Sequence, residues 1–222
     1  MESYNLIADP AFAAGLVWAE GVRTEPSAPA LQKLIAELVQ LRSAEEFPPL
    51  PIKDAVRKLL KRGGFKPSGR NKPASEYLAQ AAREGRFPLI NNLVDINNLL
   101  SLETGLPISL LDARAFGGQV RLRCGRAGES YVFNSAGQEI DLEGLICACG
   151  GDGPEGVPLG NPVKDSMAGK LQADTSSVIG VIYASLECDP GRCVGAQAER
   201  FGQLLREFGG AQDIRTAVVG GR

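Results

Sequence analysis

The stretch from Leu89 to Asp112, LINNLVDINNLLSLETGLPISLLD, constrains this chain more than any other. Asn91, Asn92, Asp95, Asn97 and Asn98 fall within eight residues, set among Leu, Val and Ile. Asn and Asp side chains compete with the backbone for hydrogen bonds and are disfavoured inside regular elements. A fold that buries this segment must give five short polar side chains their partners. The expected solution is a buried backbone corner held by side-chain amides, which can also line a pocket. Gly105-Leu106-Pro107-Ile108 then reads as a turn entering a short apolar strand that ends at Asp112.

A chain of 222 residues is expected to form one domain spanning 1–222. A globule of this size buries roughly 70–75% of its unfolded surface and needs no metal or disulfide staple. The net charge is −2, so any nucleic-acid contact is confined to a patch rather than spread over the whole protein. No apolar run approaches a membrane span, and MESYNLIADP lacks a basic-then-apolar signal pattern. The five cysteines are an odd number without a secretory signal, which reads as a reduced, cytoplasmic protein.

Along the chain, Tyr4–Ile7 and Gly15–Val22 are short strand candidates. Ser27 reads as an N-cap for an amphipathic helix over 28–43. A second helix is expected over about 52–62, stopped by Gly63-Gly64, and a third from Pro73 to about Glu84. Between Lys53 and Lys72 lie eight basic residues against one acid, Asp54. Lys58, Lys61, Arg62, Lys66, Arg70 and Lys72 are the candidates there for contact with a phosphate backbone. From Gly117 the period changes to two, giving strands near 120–124, 131–133, 138–142 and 145–149. Residues 150–162 read as a long Gly/Pro loop, 178–183 as a buried strand, 189–208 as a last helix and 214–219 as a closing strand.

With no histidine in the chain, His general bases, Ser-His-Asp triads, Cys-His pairs and His metal sites are excluded together. Cys147-x-Cys149 and Cys188-x4-Cys193 do not have the spacing of a zinc ribbon, so no metal is expected. No Rossmann or P-loop glycine pattern is present, and no cofactor is expected. What remains is a site made of amides, hydroxyls, backbone N–H groups and carboxylates. Such a site suits a substrate that is already activated.

Four motifs in order carry a family resemblance: Lys72-Pro73-Ala74-Ser75-Glu76-Tyr77-Leu78, Val94-Asp95-Ile96-Asn97-Asn98, the Pro107-to-Asp112 step, and Gly160-Asn161-Pro162-Val163-Lys164-Asp165-Ser166. Together they resemble the B3/B4 domain of the phenylalanyl-tRNA synthetase β subunit over about 53–186, and the flanks look like those of its free-standing relatives. The resemblance implies an α+β fold with a mostly antiparallel β-sandwich-like core over about 89–186, flanked by N- and C-terminal helices. It also implies hydrolysis of the ester of mischarged aminoacyl-tRNA, an editing reaction of translation quality control that uses neither metal nor covalent intermediate. The implied partners are aminoacyl-tRNA and an aminoacyl-tRNA synthetase. The alternative is a non-catalytic module that binds an amino acid, a tRNA end or a synthetase.

The polar islands in apolar sequence mark the expected pocket. Asn92, Asn97, Asp112 and Asp165 are the substrate-binding candidates. Gly160, Asn161 and Ser166 are the catalytic ones, with backbone N–H groups of Gly160–Asn161 stabilising the oxyanion. Asp95 is expected to be structural. Without an unperturbed group that titrates near neutrality, the rate is expected to be flat between about pH 6 and 8 apart from its dependence on hydroxide. Two departures from the synthetase pattern stand out. Ser109 occupies a position where the synthetase commonly has histidine, and no acid follows Val178-Ile179-Gly180-Val181-Ile182-Tyr183 until Glu187.

Overall fold

Alternation along β2 (Phe12–Glu20) divides the core in two. Phe12, Ala14, Leu16 and Trp18 point one way, and Ala13, Val17 and Ala19 the other. This is the period of two expected of a strand covered on both faces. The computed structural model describes residues 3–5 and 11–220. The strand candidate Tyr4–Ile7 therefore lies partly outside the described residues; β1 covers Ser3–Asn5.

β2 sits inside an antiparallel sheet of order β10-β2-β9-β3, in which β3 is Ile108–Asp112, β9 is Ser177–Ser185 and β10 is Asp213–Gly220. A second sheet has the order β1-β4-β7-β8, with β4 at Gln119–Cys124, β7 at Ile146–Gly150 and β8 at Val157–Gly160. Only its β1–β4 pair is parallel. Ile179, Val181 and Tyr183 of β9 meet Val120, Leu122 and Ile146 between the sheets. A separate hairpin pairs β5 (Ser130–Val132) with β6 (Glu139–Asp141).

Helices cover the other face of the first sheet. α1 (Pro29–Ser43) contributes Leu31 and Ile35, α4 (Asn92–Thr104) contributes Leu93, Ile96 and Leu100, and the C-terminal helix Val194–Gly209 contributes Phe201 and Leu205. The chain is thus an α+β protein with a mostly antiparallel sandwich core. Gly180 lets that last helix lie close, because a Cβ there would stand 2.6 Å from the Phe201 ring. α3 (Ala74–Arg83) packs against α1 and α4, α2 (Leu50–Lys61) contacts β9 and places Leu59 in the cluster between the sheets, and α5 (Asp189–Arg192) precedes the C-terminal helix, α6. Among the described residues no helix is long and apolar enough to cross a membrane.

Five sequence expectations are corrected. The sandwich is not confined to 89–186, because β2 and β10, from opposite ends of the chain, supply half of the first sheet. The segment Leu89–Asp112 is not a corner but a helix, α4, followed by a strand. Its polar side chains do not fray the helix because each is tied to a partner. Asn91 Oδ1 caps it by accepting from Val94 N at 3.0 Å. Asp95 accepts from Ser27 Oγ at 2.5 Å and Ile90 N at 2.8 Å. Ser27 is accordingly not an N-cap; Ala28 holds that position in α1. Residues 150–162 contain β8, and the last helix is broken at Cys193 into α5 and α6.

Candidate functional site

β3 is the edge strand of the first sheet, and a cleft opens beside it. α3, α4 and the segment after β8 form the other walls. An inner lobe of about 360 Å³ is lined by Asn97 and Asn98 of α4, Leu110 of β3, and Val163, Asp165 and Lys170. An outer lobe of about 640 Å³ adds Arg70, Lys72, Tyr77, Arg86 and Pro88. Asn97, Asn98, Ile108, Val163 and Lys164 line both lobes, so the two are continuous.

Asp165 sits in the inner lobe with its carboxyl sunk among protein atoms. Burial pushes that carboxyl up to about 7, against the opposing pull of the Ser109 hydroxyl, the Asn161 N–H and the charge of Lys170. Ser109 Oγ also lies 3.1 Å from Tyr183 Oη. When Asp165 is ionised, the single Ser109 proton is committed to it, so Tyr183 must be the donor to Ser109. Burial holds the Tyr183 phenol well above its ordinary value, which keeps that proton in place. Asn97 donates from Nδ2 to Asn98 Oδ1 at 3.3 Å, while its own Oδ1 is buried without a donor. The lobe is therefore lined by a titratable carboxyl and by an amide whose buried oxygen has no protein donor.

The other residues picked from the sequence are distributed as follows. Asn92 does not line the cleft. Its side chain accepts from Glu25 N and donates to Arg23 O and Phe208 O, each at 2.9 Å, tying α4 to two distant segments. Asp112, at the far end of β3, also lies outside. Burial would raise its carboxyl, but hydrogen bonds from Arg114 and Thr175 outweigh this and hold it below the usual range. Asn161 lines the inner lobe, but its Oδ1 accepts from Val163 N at 2.7 Å and Lys164 N at 2.8 Å, and its Nδ2 reaches Tyr131 Oη. Ser166 Oγ is buried and accepts from Gly169 N at 3.0 Å. A Cβ on Gly160 would stand 2.7 Å from Asp165 Oδ1, so this glycine is what lets the carboxyl pack there. The three residues picked for chemistry thus hold the turn that presents Asp165. The Asn161 N–H, expected at an oxyanion, is directed to that carboxylate instead.

The basic stretch divides in the same way. Lys58 and Arg62 are paired with Glu187 at 2.9 and 3.0 Å, and Arg57 makes two 2.6 Å bonds to Glu76. Lys61 and Lys66 are exposed, while Arg70 and Lys72 line the outer lobe. Sequence reasoning missed Tyr77, Arg86, Lys164, Lys170 and Tyr183. The signal for the two lysines was their position on either side of Asp165. Burial raises the thiol of Cys147 well above its ordinary value and that of Cys149 to about 12, so neither is a thiolate near neutrality. Among the described residues no group of three or more His, Cys, Asp or Glu is placed to hold a metal ion.

Two phenylalanine–tRNA ligase beta subunits are similar to this chain in sequence. The phenylalanine–tRNA ligase beta subunit of Bartonella henselae is 32% identical over 89 residues, covering 36% of this chain and 11% of that protein. The corresponding subunit of Clostridium tetani is 27% identical over 136 residues, covering 61% of this chain and 16% of that protein. This chain therefore spans only a small part of the curated relatives it matches. The crystal structure of an N-terminal fragment of the phenylalanyl-tRNA synthetase beta-subunit from Pyrococcus horikoshii superposes with a TM-score of 0.49 at 11% identity, over 96% of this chain and 50% of that one. The family model described as the B3/4 domain matches residues 63–184, which include most of the cleft. Since that match takes in more than half of the chain, the protein belongs to the B3/4 domain family.

Proposed function

We propose that this chain is a deacylase that hydrolyses the ester of mischarged aminoacyl-tRNA. The observation that carries the reading is the continuity of the two lobes: a cation-lined outer space leads to an inner one holding Asp165 and Asn97, whose side-chain oxygen has no protein donor. Two relatives named as phenylalanine–tRNA ligase beta subunits support the choice of substrate class. The acyl group enters the inner lobe, and its ammonium meets Asn97 Oδ1. Asp165, when ionised, takes a proton from a water that attacks the acyl carbonyl. The tetrahedral intermediate collapses with loss of the ribose oxygen, which takes up a proton, leaving free amino acid and tRNA. Asn98 and Lys170 supply donors on the same lobe for the transient oxyanion.

The test is single-turnover deacylation over a panel of mischarged tRNAs, wild type against Asp165→Asn. General-base catalysis of this kind is worth about 10²–10⁴ in rate, and the variant should lose a factor in that range. A wild-type protein that hydrolyses nothing in a complete panel, yet binds a non-hydrolysable aminoacyl-tRNA analogue, would be a binding module. The internal bonding of Asn161 and Ser166 favours that second reading.

A further inference from the structure

Arg70 and Lys164 come from separate segments, a short turn at Gly69–Asn71 and the loop after β8, and both line the outer lobe. Burial and then the charge of Arg70 lower the Lys164 ammonium from its ordinary value, so the two cations feel one another. Lys164 is not a loose surface lysine. Its Nζ rests 4.0 Å above the centroid of the Phe133 ring, its N–H donates to Asn161 Oδ1 at 2.8 Å, and its carbonyl accepts from Tyr131 Oη at 2.5 Å. Among the described residues neither Arg70 nor Lys164 is in an ion pair, whereas Arg57, Lys58, Arg62 and Arg86 all are. No carboxylate lines the outer lobe, in a chain whose net charge is −2. Two like charges held near each other without a counter-ion are unfavourable, and a bound anion removes the conflict.

The rest of the lobe says what kind of anion. Tyr77 is half exposed, with Arg86 at 5.5 Å and Lys72 at 5.9 Å from its ring centroid. With Pro88 and Ile90 it gives an aromatic and apolar patch, the two cations lying over its ring. An anion joined to a flat ring system matches this lobe; an isolated small carboxylate would leave the aromatic face unused. Resting on the deacylase reading above, we propose that Arg70 and Lys164 form a phosphate clamp. Through it the site recognises the acylated nucleotide by its 5′-phosphate, with Tyr77 as a stacking surface that does not read base edges.

The probes are two non-hydrolysable aminoacyl-adenosine analogues with an amide in place of the ester, one with a 5′-phosphate and one with a 5′-hydroxyl. Calorimetric titration of the wild type should show the phosphorylated analogue binding tighter by about 10-fold or more, the scale of charge-assisted hydrogen bonds. That preference should shrink as salt rises. In Arg70→Ala/Lys164→Met the ratio of the two affinities should fall to one. Methionine keeps an apolar stem on Phe133, and a thermal melt checks that the variant is folded. Should the double variant unfold, Arg70→Ala alone, at an exposed position, must still lower the ratio. Equal binding of both analogues by the wild type would overturn the clamp and leave the deacylase reading standing. Binding of AMP and inorganic phosphate, lost in Arg70→Ala, with no contribution from the aminoacyl group, would keep the clamp and remove the deacylase.

Discussion

Ser109 Oγ donates to Asp165 Oδ1 across 2.5 Å and lies 3.1 Å from Tyr183 Oη. This one hydroxyl joins three segments: edge strand β3, the turn after β8 and strand β9. Ser109→Ala should therefore act twice. The buried Tyr183 phenol loses its partner, which should cost about 1–3 kcal/mol in denaturant unfolding. The Asp165 carboxyl also loses a donor that favours its ionised form, so its titration should move up. A variant as stable as wild type, with an unmoved titration, would show that the hydroxyl does not hold the carboxyl.

Asp165 should make the protein less stable as pH rises. Its folded value, about 7, lies above the ordinary 3.8, so the folded state binds the proton more tightly than the unfolded chain does. The associated stability is fully present below about pH 4 and is lost as pH rises to about 7, at about 1.4 kcal/mol for each unit between the two values. Asp165→Asn removes this dependence. The variant should gain on wild type as pH increases from 5 to 8, read from urea midpoints at each pH. A constant difference across that range would contradict the assignment.

The same carboxyl predicts a step in place of the flat pH–rate profile expected from a chain without histidine. If ionised Asp165 is the base, deacylation corrected for spontaneous hydrolysis should rise through pH about 7 and level off above it. Asp165→Asn should lose the step as well as the rate. A wild-type profile without a step between pH 6 and 8 would remove Asp165 from the chemistry.

Asp95 and Asn97, two positions apart on α4, should respond oppositely to alanine. Asp95→Ala strands Ser27 and Ile90 N and should cost about 1–3 kcal/mol of stability. Asn97→Ala removes an acceptor that has no donor and one long 3.3 Å bond to Asn98, so stability should change less than in Asp95→Ala, while the affinity for an aminoacyl-nucleoside analogue should drop by about 10-fold. Denaturation and titration of both variants separate the roles.

Thiol blocking should leave deacylation intact. Cys193 is exposed and should react, whereas Cys147 and Cys149 are buried with raised thiols. A chelator should be equally without effect. Loss of activity under either treatment would overturn the water-and-carboxylate mechanism.

Much of the fold was readable because periodicity reports burial. The apolar run of β2, expected at Gly15–Val22 and found at Phe12–Glu20, and the run 178–183 both appear in sequence as strand signals, and the first three helices begin and end within two residues of expectation. α4 was not readable, because its Asn and Asp residues have poor helix propensity, and their partners at Arg23, Glu25, Ser27 and Phe208 are far away in the chain. The site was partly readable for a related reason. Asp165 and Asn97 were picked as polar residues in apolar surroundings, and they line the cleft. So were Asn92, Asp112 and Ser166, whose partners are internal. Composition shows that a polar group needs a partner but not whether that partner is the protein or a ligand.

The course of β2 and β10 bears on how the family match should be read. Residues 63–184 leave out β2, β10 and all of α6, yet β9 bonds to β2 along its full length, from Phe12↔Ser185 to Glu20↔Ser177. A fragment cut at those limits would expose the whole edge of β9 and the face on which Phe201 packs, inviting self-association through the bare strand. The unit that melts cooperatively should thus be wider than the stretch matched by the family model. Limited proteolysis should yield no stable core bounded near 63 and 184.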